Sequence, residues 1–189
     1  MFPTARARKT IEMHFRHRDL VWSEDYFVAV LRTSDKKGDL CCACWGLREV
    51  GTMGAVASIK PHVSHRKPDV RRSAFETVVH LLGAADTPWY GEMLLSGQAP
   101  VQQLAFATLC SIGDERGFDA LQQHLAHLLA GKGGLPVGTI AFMQRFLQRH
   151  PEIRAVAPNA VNALDEQWSR LSPDEQQRAT WLAQLYRPS

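Results

Sequence analysis

The residues best suited to chemistry are histidines at helical spacing and a crowd of cysteines. Three His-x-x-His pairs occur: His14/His17, His62/His65 and His124/His127. On a helix each pair would place two imidazoles on one face, the beginning of a zinc site. Zinc needs a third and usually a fourth ligand, and no pair has one beside it in sequence. There is no His-Glu-x-x-His motif either, so structural or solvated histidines are expected. Of the four cysteines, Cys41, Cys42 and Cys44 share one short stretch and Cys110 stands apart. Cys41 and Cys44 would lie on one helix face with Cys42 pointing elsewhere. Neighbours on a helix cannot easily bridge, so the four read as small buried thiols. That implies a reducing, cytoplasmic setting, with no metal and no cofactor expected.

Nucleophile and phosphate motifs are equally lacking. No Gly-x-Ser-x-Gly is present, and Gly131 to Gly134 precedes no strand-to-helix pattern, so it reads as a flexible break. The neighbouring carboxylates Asp114 and Glu115 fall at an expected helix start, where the helix dipole favours them for structural reasons. No catalytic residue is assigned. The expectation is a protein that binds rather than one that catalyses.

The elements that position these residues must be helical. The chain has 189 residues, 45% hydrophobic and 22% charged, with a formal net charge of +3. That is ample for a core and too mild a charge to argue for nucleic acid on its own. No stretch is long and apolar enough to span a membrane. The start is basic, with Arg6, Arg8 and Lys9 opposed only by Glu12. It reads as a solvated segment, with an organelle transit peptide as the alternative.

An internal repeat organises the middle. Ala43, Leu47, Val50, Gly51, Val56 and Ile59 match Ala105, Leu109, Ile112, Gly113, Phe118 and Leu121 at one constant offset. Half that offset reaches a weaker copy in Ala74, Val78 and Leu81, with Gly83 one place late. The period is about 31 residues, within the range of helical repeat arrays. Each copy reads as a helix, a glycine taking a left-handed C-terminal position, and a second helix. Asp114 is placed to cap one such second helix.

These patterns, with Pro68, Asp69, Val70, Arg71, Arg72, Ser73 and Ala74, resemble HEAT repeats of the short kind also found in phycobilisome lyases. The resemblance covers roughly residues 37–130. It implies an all-α protein: an α-solenoid of about three HEAT-like helix pairs with additional helices at both ends. Three regions follow: a basic segment and capping helix over 1–36, the repeats over 37–130, and packing helices over 131–189. Thr87, Pro88, Trp89 and Tyr90 depart from the pattern where a second helix should begin. The flanking helices are expected from Ser23 to Leu31, from Pro136 to His150, along Val161, Leu164, Trp168 and Leu171, and after Ser172. Ser172, Pro173 and Glu175 form a capping box there, ahead of Trp181, Leu182 and Leu185.

The resemblance also implies roles. In such repeats an arginine pairs with an aspartate to form a structural ladder, which gives Arg71 with Asp69 and Asp39, while Arg72 faces out. The layer of second helices would offer the partner-binding residues Trp89, Tyr90, Glu92, Lys60, His62, Arg116 and Gln123, with Arg72 beside them. One of Trp89 and Tyr90 is expected to pack inside. The first functional expectation is a bacterial protein-binding module, an adaptor, scaffold or toxin-inhibiting immunity-type binder. The second is a DNA-binding protein similar to HEAT-like alkylpurine DNA glycosylases, in which Trp45, Trp89 and Asp86 would matter. The third is a bilin lyase-like chaperone. No small-molecule substrate and no membrane association are indicated.

Overall fold

A computed structural model describes residues 5–130, 136, 138–156, 168–177 and 180. Every regular element among them is helical, and no helix there is long and apolar enough to cross a membrane. The chain divides into two compact units, Met1–Asp86 with Gly97–Leu104, and Thr87–Ser96 with Ala105–Ser189. The division falls within residues 37–130.

The first unit centres on α3 (Lys37–Val50), which packs against α1 (Ala5–Phe15), α2 (Glu24–Thr33) and α5 (Pro68–Leu82). The basic start is thus a helix, with Ile11 and Phe15 buried. Arg8 reaches Glu49 on α3 at 3.0 Å and lies 4.7 Å from the Trp22 ring. Ser23 caps α2, its hydroxyl accepting from the Tyr26 amide. Small residues let α3 sit in this crowd. A Cβ on Gly46 would fall 2.4 Å from the buried Phe27 ring, so only glycine admits that approach. Across α3 and α5, Arg48 donates to Thr77 at 3.1 Å and to Glu76 at 2.8 Å, while the Thr77 hydroxyl donates to backbone carbonyls. That satisfies the polar groups this interface buries.

In the second unit α6 (Thr87–Ser96) packs on α8 (Phe118–Ala130). α7 (Val101–Ile112) precedes α8, its first residues being counted with the first unit. α9 (Thr139–Arg149) starts at Gly138, whose φ of 86° favours glycine, and buries Ile140, Met143, Phe146 and Leu147. Arg149 at its end donates to the carbonyls of Cys110 and Gly113, at 3.1 and 3.3 Å, closing off the unsatisfied carbonyl end of α7. Ser172 and Glu175 form the expected capping box ahead of a short helix over 173–177. Trp168 and Leu171 lie in and just after a short 3₁₀ turn. Val161, Leu164, Trp181, Leu182 and Leu185 lie outside the described residues.

Three helices begin at an even spacing along the chain. The second helices begin at Val56 (α4, Val56–Ile59), Thr87 and Phe118, evenly spaced by about 31 residues. Two junctions match closely. Gly51 donates to Leu47 O at 2.9 Å and Gly113 to Leu109 O at 3.0 Å. Thr52 and Asp114 then cap 3₁₀ turns over 53–55 and 115–117, each running directly into a helix. The reason for glycine differs from the one expected. Gly51 is extended, with φ −78° and ψ 153°, and Gly113 also lacks a positive φ. Instead a Cβ would meet the carbonyl oxygen one turn back, at 2.4 Å for Gly51 and 2.7 Å for Gly113. Only the middle copy turns through a left-sided glycine, Gly83 with φ 54°.

Candidate functional site

α6 carries the departure from the repeat pattern, and its side chains sort into two faces. Thr87, Tyr90, Gly91 and Leu94 are buried at helical spacing. Gly91 lets α6 approach α8 closely, since a Cβ there would lie 3.1 Å from the Ala120 methyl. The Thr87 hydroxyl accepts from the Asp114 amide at 3.2 Å, seating the start of α6 on the junction before α8. Tyr90 is fully buried, which corrects its assignment to a binding surface. A side chain placed three after Thr87 and four before Leu94 must share their inward direction.

The other face is mixed, with apolar side chains beside Glu92 and Ser96. Pro88, Glu92, Leu95 and Ser96 are exposed, with Trp89 and Met93 half-buried between them. Leu95 is 45% exposed. Glu92 is the only charged residue in the helix. Trp89 meets the Tyr90 ring edge-on at 5.7 Å between centroids, so part of the indole rests on an enclosed side chain. Also in this unit, Gln123 is exposed on α8. Arg116 is exposed but engages Asp114, at 2.6 Å between Nη2 and Oδ2. That pairing, against the opposing effect of burial, holds the Asp114 carboxyl below its ordinary range.

The remaining candidates belong to the first unit. Lys60 and His62 fall on a 3₁₀ segment, Lys60–Ser64, that follows α4. Lys60 is paired with Asp86 at 2.6 Å. His62 is half-buried, and burial together with nearby His65 lowers its pKa. Arg72 is exposed on α5. The expected ladder is not the arrangement formed. Arg71 is buried and donates to the backbone carbonyls of His65, Arg66 and Ala99. Asp69 pairs with Lys37 at 2.7 Å, both well exposed. Asp39 turns away from α5 to His14, Arg18 and Ser34. The arginine fork suits carbonyls that a turn leaves unsatisfied, and those lie nearer to Arg71 than either aspartate.

The chemically able residues are dispersed. All four cysteines are buried and free, and burial pushes the thiols of Cys42, Cys44 and Cys110 up to about 12. His14 is committed to Asp39, and His17 accepts from Arg16. His124 is buried beside the Phe106 ring, where burial, then His127, lowers its pKa. His62 and His65 have their ring centroids 6.5 Å apart. One cluster has no signal in local spacing: Glu115, His150 and Glu152, which converge across 35 residues of chain. The His-x-Glu step from 150 to 152 was its only local trace. Compared with protein-family models, with characterised proteins and with solved structures, the chain shows no match.

Proposed function

We propose that this chain is a non-catalytic protein-binding module, built as a short HEAT-like α-solenoid, that engages a protein partner through the outward face of α6. The observation that carries the reading is that α6 leaves apolar side chains uncovered on its outward side, on either flank of Glu92 and Ser96. Leu95 is 45% exposed and Trp89 and Met93 are only half-covered. Exposed apolar side chains gathered on one helix face mark interaction sites more than scattered ones do, and tryptophan is a common interface anchor. The even spacing of the second helices supports the repeat reading. The decisive experiment is affinity capture from the native host with wild type and with a Met93→Glu/Leu95→Glu variant. A partner that binds wild type and is lost from the folded variant supports the proposal. Equal capture by both removes α6 from the interface.

A nucleic-acid reading has one observation in its favour. Arg66, Lys67 and Arg72 are exposed around the start of α5 and form no ion pair among the described residues. The glycosylase-like form of that reading is weakened, because Asp86 is occupied by Lys60. Duplex binding that falls steeply with salt would favour this reading, since phosphate contacts release counterions.

A further inference from the structure

We propose that Glu115, His150 and Glu152 form a binding site for a divalent transition cation of the zinc class. One ligand atom from each lies within 4.8 Å of the other two. The three come from separate elements of the second unit. Glu115 belongs to the 3₁₀ turn before α8, His150 follows the last residue of α9, and Glu152 lies in the 3₁₀ segment Pro151–Val156.

The histidine is held the way a ligating histidine is held. Its Nε2 lies 3.1 Å from the carbonyl oxygen of Gly113. A carbonyl only accepts, so Nε2 carries the hydrogen. The other ring nitrogen, Nδ1, therefore faces the carboxylates, 3.1 Å from Glu152 Oε1. A backbone carbonyl that fixes the distal N–H is the usual outer-shell partner of a metal-bound imidazole. That carbonyl is itself anchored, because Arg149 donates to it at 3.3 Å. The side chain of His150 is only 14% exposed, against 59% for Glu152.

Charge points the same way. Glu115 and Glu152 bring two carboxylates together with one imidazole between them. The Glu115 carboxylate forms no side-chain hydrogen bond and no ion pair among the described residues, and its neighbour Arg116 engages Asp114. Arg149 donates through Nη2 to carbonyls and pairs with neither carboxylate among the described residues. A divalent cation would offset this local negative charge. Zinc–ligand bonds of about 2.0–2.1 Å in a tetrahedron put neighbouring ligand atoms about 3.3 Å apart. The His150–Glu152 edge is already 3.1 Å, and Glu115 closes the third corner by a change of rotamer on an exposed side chain. One nitrogen and two carboxylate oxygens suit zinc, cobalt or manganese better than magnesium or calcium, which take oxygen ligands. The remaining coordination positions would hold water.

The test uses the full chain stripped with a chelator, titrated with Zn²⁺ by calorimetry and with Co²⁺ by visible absorption. The expected result is one saturable equivalent per chain and a rise in Tm. Glu115→Gln and Glu152→Gln should each weaken binding about tenfold or more while leaving the metal-free Tm and circular dichroism unchanged. A His62→Gln/His65→Gln variant should bind like wild type. No saturable binding of either cation overturns the proposal. So does wild-type affinity in the Glu115→Gln and Glu152→Gln proteins.

Discussion

The Asp39 carboxylate, 2% exposed, accepts a hydrogen bond from His14 Nε2 at 2.7 Å and thereby ties α3 to α1. Arg18 and Ser34 complete its shell at 2.8 and 2.7 Å. Burial alone would raise its pKa. The hydrogen bonds from Ser34, Arg18 and His14 outweigh that and hold it at about 2, against an ordinary 3.8. A depressed carboxylate contributes stability that is fully present above its unfolded value and lost as pH falls through the folded one. Stability is therefore expected to drop by about 2 kcal/mol between pH 5 and pH 2 from this group. Asp39→Asn should remove that part of the acid dependence and cost about 2 kcal/mol at neutral pH, because it takes away the charge that strengthens the hydrogen bonds from Ser34, Arg18 and His14. Urea unfolding of both proteins across that pH range measures each effect.

Glycine substitutions separate crowding from conformation. Ala at position 46 places a methyl within 2.4 Å of a ring that is itself fully buried. Ala at position 113 meets the Leu109 carbonyl at 2.7 Å. Each should cost about 1–3 kcal/mol, the usual range for overpacking. Gly83 has open space around it but a φ of 54°. Asn and Val there should both destabilise, because ψ −132° puts Gly83 outside the left-handed helical region that asparagine tolerates, in backbone space that favours glycine. Thermal unfolding of the four variants ranks them.

Much of this was legible because local rules govern it. The second helices start on an even spacing, Asp114 caps the turn before one of them, and the Ser172–Glu175 box caps a flanking helix. The helical start of the chain was not legible. Only Ile11 and Phe15 bury on α1, too short a stripe to stand out from its basic neighbours. Trp89 and Tyr90 stood out by breaking the pattern, but adjacency cannot say which of two aromatics faces inward. Thr87, Gly91 and Leu94 decide that through packing on the second unit's other elements. The partners of Asp39 sit on an earlier helix and a loop, and those of Arg71 are backbone carbonyls. Neither kind of contact leaves a spacing signature. The expected ladder failed for that reason.

The cysteines offer a sharp kinetic expectation. A thiol with a pKa of about 12, as at Cys42, Cys44 and Cys110, has about one part in ten thousand present as reactive thiolate at pH 8. Cys41 is also shifted upward, by burial. A disulfide exchange reagent should leave all four largely unmodified in the native chain and titrate four after denaturation. Fast modification of even one in native protein would show that its helix opens readily, and it would contradict the packing around α3 or α7.

Tyr90 and Leu95 should respond in opposite ways to substitution, although they are on one helix. Tyr90 is among the largest fully enclosed side chains, and Leu95 is 45% exposed. Tyr90→Ala opens a cavity and should cost about 3–5 kcal/mol, the range for removing a buried aromatic ring. Leu95→Glu removes little buried area and should change stability by no more than about 0.5 kcal/mol. If the outward face of α6 is the contact surface, Leu95→Glu should nevertheless weaken partner binding tenfold or more, because it places a charge where the interface would exclude water. Denaturant unfolding and binding measured on the same two proteins give four numbers. A stable Leu95→Glu that binds normally would leave α6 apolar for structural reasons alone, whereas a stable variant that fails to bind ties that face to function.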